Sequence, residues 1–316
     1  MTDLKQNGTA VTDRNPRSKK RCAQKLLTGI LCTFSLFGTA QDYKLAWEDN
    51  FDNPSLNEKN WTIVVNGKGG GNRELQYYRK ENISIGKEPV SGENCLIITA
   101  RKENYKFHKV TSGRISTQHK IEFKHGKIEA KIKFPKTANG LWPAFWLLGN
   151  GYPNNPAWPK CGEIDIVEMG NEHGIKNGIQ DRYFNGACHW GERFNHGRYP
   201  NYAKANTNPF SLQEDFHLFT LIWDENALKM YLDLDKNPAA APYFEMPIGG
   251  EDVAGNPARY FHREFFVLFN LAVGGNFTQI RHLDGITALK DCDAKMYVDY
   301  VRIYQKGTDG EIFSSK

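Results

Sequence analysis

The sequence predicts an all-β protein, a sandwich of antiparallel sheets. Three features carry that prediction. Short β-rich runs recur through most of the chain, clusters of Gly, Pro, Asn and Asp separate them, and no segment holds a long helical period. The runs fall at 43–51, 95–100, 126–134, 145–148, 163–168, 217–223, 227–232, 265–271 and 296–304. The 126–134 run alternates cleanly, with Ile128, Ala130, Ile132 and Phe134 on one face and Lys127, Glu129, Lys131 and Lys133 on the other. That pattern describes a half-buried strand whose charged side is solvated. The stretches 149–162 and 171–210 are rich in Gly, Asn and Pro and read as long loops, a setting that often carries function.

The first 40 residues stand apart. A basic cluster at 18–21 precedes an apolar stretch at 26–37, and Gly38-Thr39-Ala40 supplies small residues before Gln41, the pattern of a cleaved secretory signal. The apolar stretch is shorter than the roughly 20 residues that span a bilayer. The expected organisation is a leader at 1–40 and one exported domain at 41–316, with its ordered part ending near residue 307. At 316 residues the chain does not require a second folded domain.

Charge follows the same division. The formal net charge is +5, but the leader holds seven Lys/Arg and two acids, and removing these from the totals of 41 and 36 leaves 34 of each. The basic balance belongs to the leader, so nothing electrostatic points to a nucleic-acid partner. Cys22 and Cys32 lie in the leader. Cys95, Cys161, Cys188 and Cys292 remain, an even count that permits disulfides and equally permits buried thiols. Their wide spacing does not resemble a zinc site.

The segment 163–168, Glu-Ile-Asp-Ile-Val-Glu, concentrates the chemistry. In a plain strand Glu163 and Asp165 share a face and Glu168 falls on the other. One extra residue, a β-bulge near Ile166-Val167, returns Glu168 to the acidic face. Three crowded carboxylates raise one another's pKa, so at least one stays protonated near neutral pH. Glycoside hydrolysis needs that combination of an ionised carboxylate that attacks and a protonated one that donates. A calcium loop would alternate oxygen ligands with Gly and small polar residues, whereas the spacers here are large and β-branched.

The same segment resembles the signature of glycoside hydrolase family 16 in its bulged form. Segments 70–78 (GGNRELQYY), 111–115 (TSGRI), 140–148 (GLWPAFWLL), 187–190 (ACHW), 270–275 (NLAVGG) and 298–304 (VDYVRIY) resemble that family in its own order. The pattern is most similar to laminarinases and related β-1,3(4)-glucanases. The resemblance implies a β-jelly-roll sandwich with a concave substrate cleft. It also implies a retaining endo-β-glucanase acting on β-1,3-glucan, mixed-linkage β-1,3-1,4-glucan or both. Glu163 would be the nucleophile, Glu168 the general acid/base, and Asp165 the residue tuning the nucleophile.

By the same resemblance, Asn72, Arg114, Trp142, Trp146 and His189 are substrate-binding candidates; Trp158, in the long loop beside the acids, is a candidate cleft wall. Glu74 is expected to pair with Arg73 or Arg114. No cofactor is needed for catalysis. A structural calcium is expected on the convex side at Asp299, a carbonyl near Gly92, and Glu48. The partner is a β-glucan, and a monomer is the default for an enzyme of polymers. Agarase- or carrageenase-like family members would favour a more basic cleft. A non-catalytic glucan-binding relative would have lost the acids that are present here.

Overall fold

The computed structural model describes residues 42–193 and 198–316; the expected leader at 1–40 lies outside the described residues. In chain order the first strands are β1 (Lys44–Asp49), β2 (Thr62–Ile63), β3 (Tyr77–Tyr78), β4 (Ile83–Lys87), β5 (Asn94–Ala100), β6 (Thr111–Ser112) and β7 (Arg114–Ser116). The middle of the chain supplies β8 (Ile121–Lys124), β9 (Gly126–Lys133), β10 (Leu141–Gly149), β11 (Glu163–Met169), β12 (Tyr183–His189) and β13 (Asn201–Thr207). The last are β14 (His217–Trp223), β15 (Ala227–Leu232), β16 (Phe244–Pro247), β17 (Phe265–Val273), β18 (Ala294–Gln305) and β19 (Ile312–Ser315). Among the described residues the one α-helix is the short α1 (Glu172–Lys176). None is long and apolar enough to cross a membrane.

Two large antiparallel sheets form the sandwich. The eight-stranded sheet runs β16-β15-β14-β9-β18-β5-β4, with β1 added on β18. The nine-stranded sheet runs β13-β12-β11-β10-β17-β7-β2, with β8 and β19 attached through β17. Alternation along each strand sends one set of side chains into a shared core. Ile128, Ala130 and Ile132 of β9 meet Phe145 and Leu147 of β10, Ile164 and Ile166 of β11, and Phe269 and Leu271 of β17 in one buried cluster. The Phe145 and Phe269 rings stack with centroids 4.8 Å apart. Trp61 is fully buried against Phe269, and its indole N–H donates to Asp49 Oδ2 at 2.9 Å, so its polar atom is satisfied.

The outer side of β9 is more ordered than its alternation alone suggests. Glu129 is buried, held by Lys127 Nζ at 2.9 Å and by the Tyr304 hydroxyl at 2.9 Å. Lys131 pairs with Asp299 at 2.9 Å and Lys133 with Glu88 at 3.0 Å. The expected solvated face therefore carries ion pairs, one within β9, one to β18 and one to the residue that follows β4. The 171–210 stretch also differs from expectation, since it holds α1, β12 and β13. β13 leaves no strand signal in the sequence, because it is an exposed edge strand with no apolar alternation. Cys95, Cys161, Cys188 and Cys292 are all free thiols. Burial pushes the Cys95 and Cys161 thiols up to about 12 and raises Cys188 as well, so these three stay protonated and unreactive.

Truncating Phe269 to Ala removes a ring with no exposed surface from the middle of the sandwich. Urea unfolding of Phe269→Ala is expected to show a loss of about 3–5 kcal/mol.

Candidate active site

The site is built on an irregularity of β11. Against β10, Glu163 faces Leu148, Ile164 faces Leu147 and Asp165 faces Trp146; Val167 then faces Phe145 and Glu168 faces Ala144. Ile166 has no opposite residue, which defines a β-bulge at the expected place. The same break appears against β12, where Asp165 faces Ala187 and Glu168 faces Asn185. Ile166 and Val167 are consecutive, and both are fully buried in the core. That arrangement returns Glu168 to the face shared by Glu163 and Asp165, on the side of the nine-stranded sheet away from the core.

The face is closed enough to strain its charges. Asp165 is 4% exposed and Glu168 9%. Burial is the largest cause raising all three carboxyl groups, each to about 8, and the Asp165 charge raises both glutamates further. Two indoles oppose the shift. Trp158 Nε1–H donates to Glu163 Oε2 at 2.9 Å, and Trp142 Nε1–H donates to Glu168 Oε1 at 2.8 Å. His189 Nε2 lies 3.2 Å from Asp165 Oδ2. Asp165 Oδ2 and, on the other side of the imidazole, His189 Nδ1 are buried without hydrogen-bond partners. Glu163, Asp165 and His189 each present one atom within 4.8 Å of the others, an O,O,N set of the kind that ligates metals.

The other candidates flank this centre. Trp142 stacks on Phe277 at 4.8 Å, which covers one face of its indole. Trp146 Nε1–H donates to Asn270 Oδ1 at 2.7 Å, and the Arg114 guanidinium sits 4.7 Å from the centre of its ring. Phe145, beside it in sequence, faces the core instead. The Asn72 carbonyl accepts from the Asn276 N–H at 2.8 Å, fixing that loop through its backbone. Glu74 pairs with neither Arg73 nor Arg114; it accepts from Gln76 at 2.6 Å and from the Tyr78 hydroxyl at 3.1 Å.

Three neighbours of the centre were not anticipated. Tyr199 packs edge-on against Trp158 at 4.7 Å and lies 5.5 Å from His189. Burial, then the charges of Glu163, Asp165 and Glu168, raise its pKa. Asn270 orients Trp146. Asn185, opposite Glu168, keeps a buried Oδ1 with no hydrogen-bond partner. Tyr199 and Asn185 lie in the stretch read as loop, where no periodicity marks a facing residue.

The expected calcium set does not assemble. Gly92 and Asp299 line one cavity of about 480 Å³, but Glu48 is not among its walls. The Glu48 carboxylate is held by Arg302 at 3.0 Å, and Asp299 is neutralised by Lys131 at 2.9 Å. A set whose two carboxylates are already matched by cations does not suit a divalent ion.

The profile of Glycosyl hydrolases family 16 matches residues 71–239, more than half of the chain. The chain belongs to glycosyl hydrolase family 16. The family's jelly-roll architecture corresponds to the two sheets described above. The clotting factor G alpha subunit of Tachypleus tridentatus is 35% identical over 267 residues, covering 83% of this chain and 34% of that protein. The chain thus spans about a third of that relative's length. A beta-glucanase of Rhodothermus marinus is 29% identical over 290 residues, covering 88% of this chain and 93% of the relative. A family 16 structure from the Bacteroides ovatus mixed-linkage glucan system, in complex with a G4G4G3G product, is 38% identical with a TM-score of 0.70. It covers 81% of this chain and 99% of that one.

Burial holds the Asp165 carboxyl at about 8, up from 3.8, so the native state of this family 16 protein keeps a proton that the unfolded chain releases. Stability drawn from this group therefore falls as pH rises from about 4 to 8. Asp165→Asn is expected to unfold at higher urea than the parent at pH 8, with the gain vanishing at pH 4. A parent more stable than the variant at pH 8 would show that the fold stabilises the ionised carboxylate.

Proposed function

We propose that this family 16 hydrolase is an exported, monomeric endo-β-glucanase. It cleaves β-1,3-glucan, mixed-linkage β-1,3-1,4-glucan or both, with retention of configuration. The observation that carries the proposal is the bulged acid strand, whose two glutamates are each gripped by a separate indole. The names of the Rhodothermus marinus relative and of the Bacteroides ovatus structure support the glucan class. The leader pattern supports export.

Glu163 is the nucleophile and Glu168 the acid/base. The Glu163 carboxylate attacks the anomeric carbon, and a glycosyl ester forms as the glycosidic C–O bond breaks. Glu168 delivers its proton to the departing oxygen. It then takes a proton from water, the water attacks the anomeric carbon, and Glu163 leaves as carboxylate. Burial first, and crowding after it, hold protons on the cluster, so Glu168 retains one for transfer, and attack requires Glu163 in its ionised form. Trp158 favours ionisation at Glu163 by donating to it, and Asp165 tunes the same group. Trp142, Trp146, Arg114, Asn72 and His189 contact the sugar chain, and Trp158 walls the cleft. Trp142 offers it the indole face that Phe277 leaves open.

Purified protein incubated with laminarin, barley mixed-linkage glucan and agarose tests the substrate class. Oligosaccharide release from either glucan, and none from agarose, is expected; release from agarose alone would move the protein to a galactan substrate. A 2-deoxy-2-fluoro glucoside with a dinitrophenyl leaving group is expected to add one glycosyl unit to the peptide containing Glu163. A label on another residue would overturn the assignment. Glu168→Gln is expected to lower turnover of the polymer about 10²- to 10⁴-fold. Trp142→Phe removes a hydrogen bond that favours ionised Glu168, so the acid's pKa rises. The alkaline limb of kcat/KM is then expected to move to higher pH.

A further inference from the structure

The bulge that aims Glu168 leaves a problem in the core. Ile166 is matched by no residue on either neighbouring strand, and it is fully buried. A buried carbonyl outside the ladder needs a partner. The partner comes from the opposite sheet. The Tyr243 hydroxyl donates a hydrogen bond to the Ile166 carbonyl oxygen. Tyr243 directly precedes β16, and its own N–H is tied to the Met230 carbonyl at 2.9 Å, so its base is anchored in the eight-stranded sheet. Its hydroxyl thus spans the sandwich to the bulge. Burial raises the phenol's pKa well above its usual value, so it remains a donor throughout the working range.

The path of this side chain is cleared by a missing one. Gly186 of β12 occupies a core-facing position between Phe184 and Cys188, two residues of the buried cluster. A Cβ there would lie 2.8 Å from Met230 Sδ and 3.2 Å from Tyr243 Cε2. The Phe184 ring meets the Tyr243 ring edge-on at 5.0 Å and fixes its tilt. Hydrogen bond, glycine slot and bulge register converge on one carbonyl, two residues before Glu168.

We infer that Tyr243 is a positioning residue for the acid/base: its inter-sheet hydrogen bond pins the β11 bulge and so sets where Glu168 points. The inference rests on the role given to Glu168 above. Tyr243 touches no reacting atom and acts only through the backbone of Ile166.

A leaving-group comparison separates this role from general packing. Breaking a glucan linkage requires a proton from Glu168, whereas expulsion of dinitrophenolate does not. Tyr243→Phe keeps the ring and loses only the hydroxyl. Its kcat/KM on laminarin or barley glucan is expected to fall about 10- to 100-fold, the scale of a small misplacement of a reacting group. Its kcat/KM on a dinitrophenyl β-glucoside of the same chain type is expected to stay unchanged, as is KM for the polymer. Equal losses on both substrates, or no loss on either, would overturn the inference.

Glu168→Gln run in parallel should show the same selective loss. If Glu168→Gln leaves polymer cleavage intact, the role of Glu168 has failed and the inference falls with it. If Glu168→Gln is selective and Tyr243→Phe is not, only the inference fails. Gly186→Ala, which crowds the ring but keeps the hydroxyl, is the second variant should Tyr243→Phe not fold. It is expected to give the same selective loss, and an equal loss on both substrates overturns the inference there too.

Discussion

The extra residue at Ile166 decides which face of the nine-stranded sheet carries the acids. A regular strand would place Glu163 and Asp165 on one side and Glu168 on the other, leaving a carboxylate facing the core. The bulge instead drives two successive apolar residues, Ile166 and Val167, into the sandwich and brings three acids to the opposite face. The apolar side of the strand thus helps hold the acidic side together. Burial of adjacent Ile and Val side chains, each worth roughly 1.5–3 kcal/mol, offsets part of the cost of crowding carboxylates.

The acids remain unfavourable where they are. Their raised pKa values mean that the fold accommodates protons more easily than charges. His189 and two donors of fixed direction moderate this: the indole of Trp158 on Glu163 and the indole of Trp142 on Glu168. An indole donates without carrying charge, so each stabilises its carboxylate without forming a salt bridge that would hold the acid ionised. Among the described residues, His189 is the basic side chain that sits against Asp165. The site therefore keeps its protons mobile at a cost in stability, a trade common at functional centres.

Much of this was legible in the residues. The runs 217–223 and 227–232 match β14 and β15 end to end, because apolar residues there are dense and turn residues bound them. The bulge followed from the spacing of three acids that had to share a face. Other features needed three-dimensional register. Lys131 meets Asp299, and Lys133 meets Glu88, only because β9 lies beside β18 and β4–β5 closes the same sheet. No local pattern announces that Glu74 turns to Gln76 and Tyr78, that Glu48 belongs to Arg302, or that Tyr243 reaches across the core. Tyr199 and the edge strand β13 lie in a polar stretch whose composition is that of a loop.

The state of the cysteines carries a consequence of its own. Cys95, Cys161, Cys188 and Cys292 are all unbridged, and the first three are sealed as neutral thiols. The described fold is therefore closed by apolar burial and hydrogen bonds, with no covalent crosslink between distant strands. No disulfide among the described residues has to form for the sandwich to close, while Cys292 remains an exposed thiol. Among the described residues, closing the sandwich asks nothing of disulfide-forming machinery.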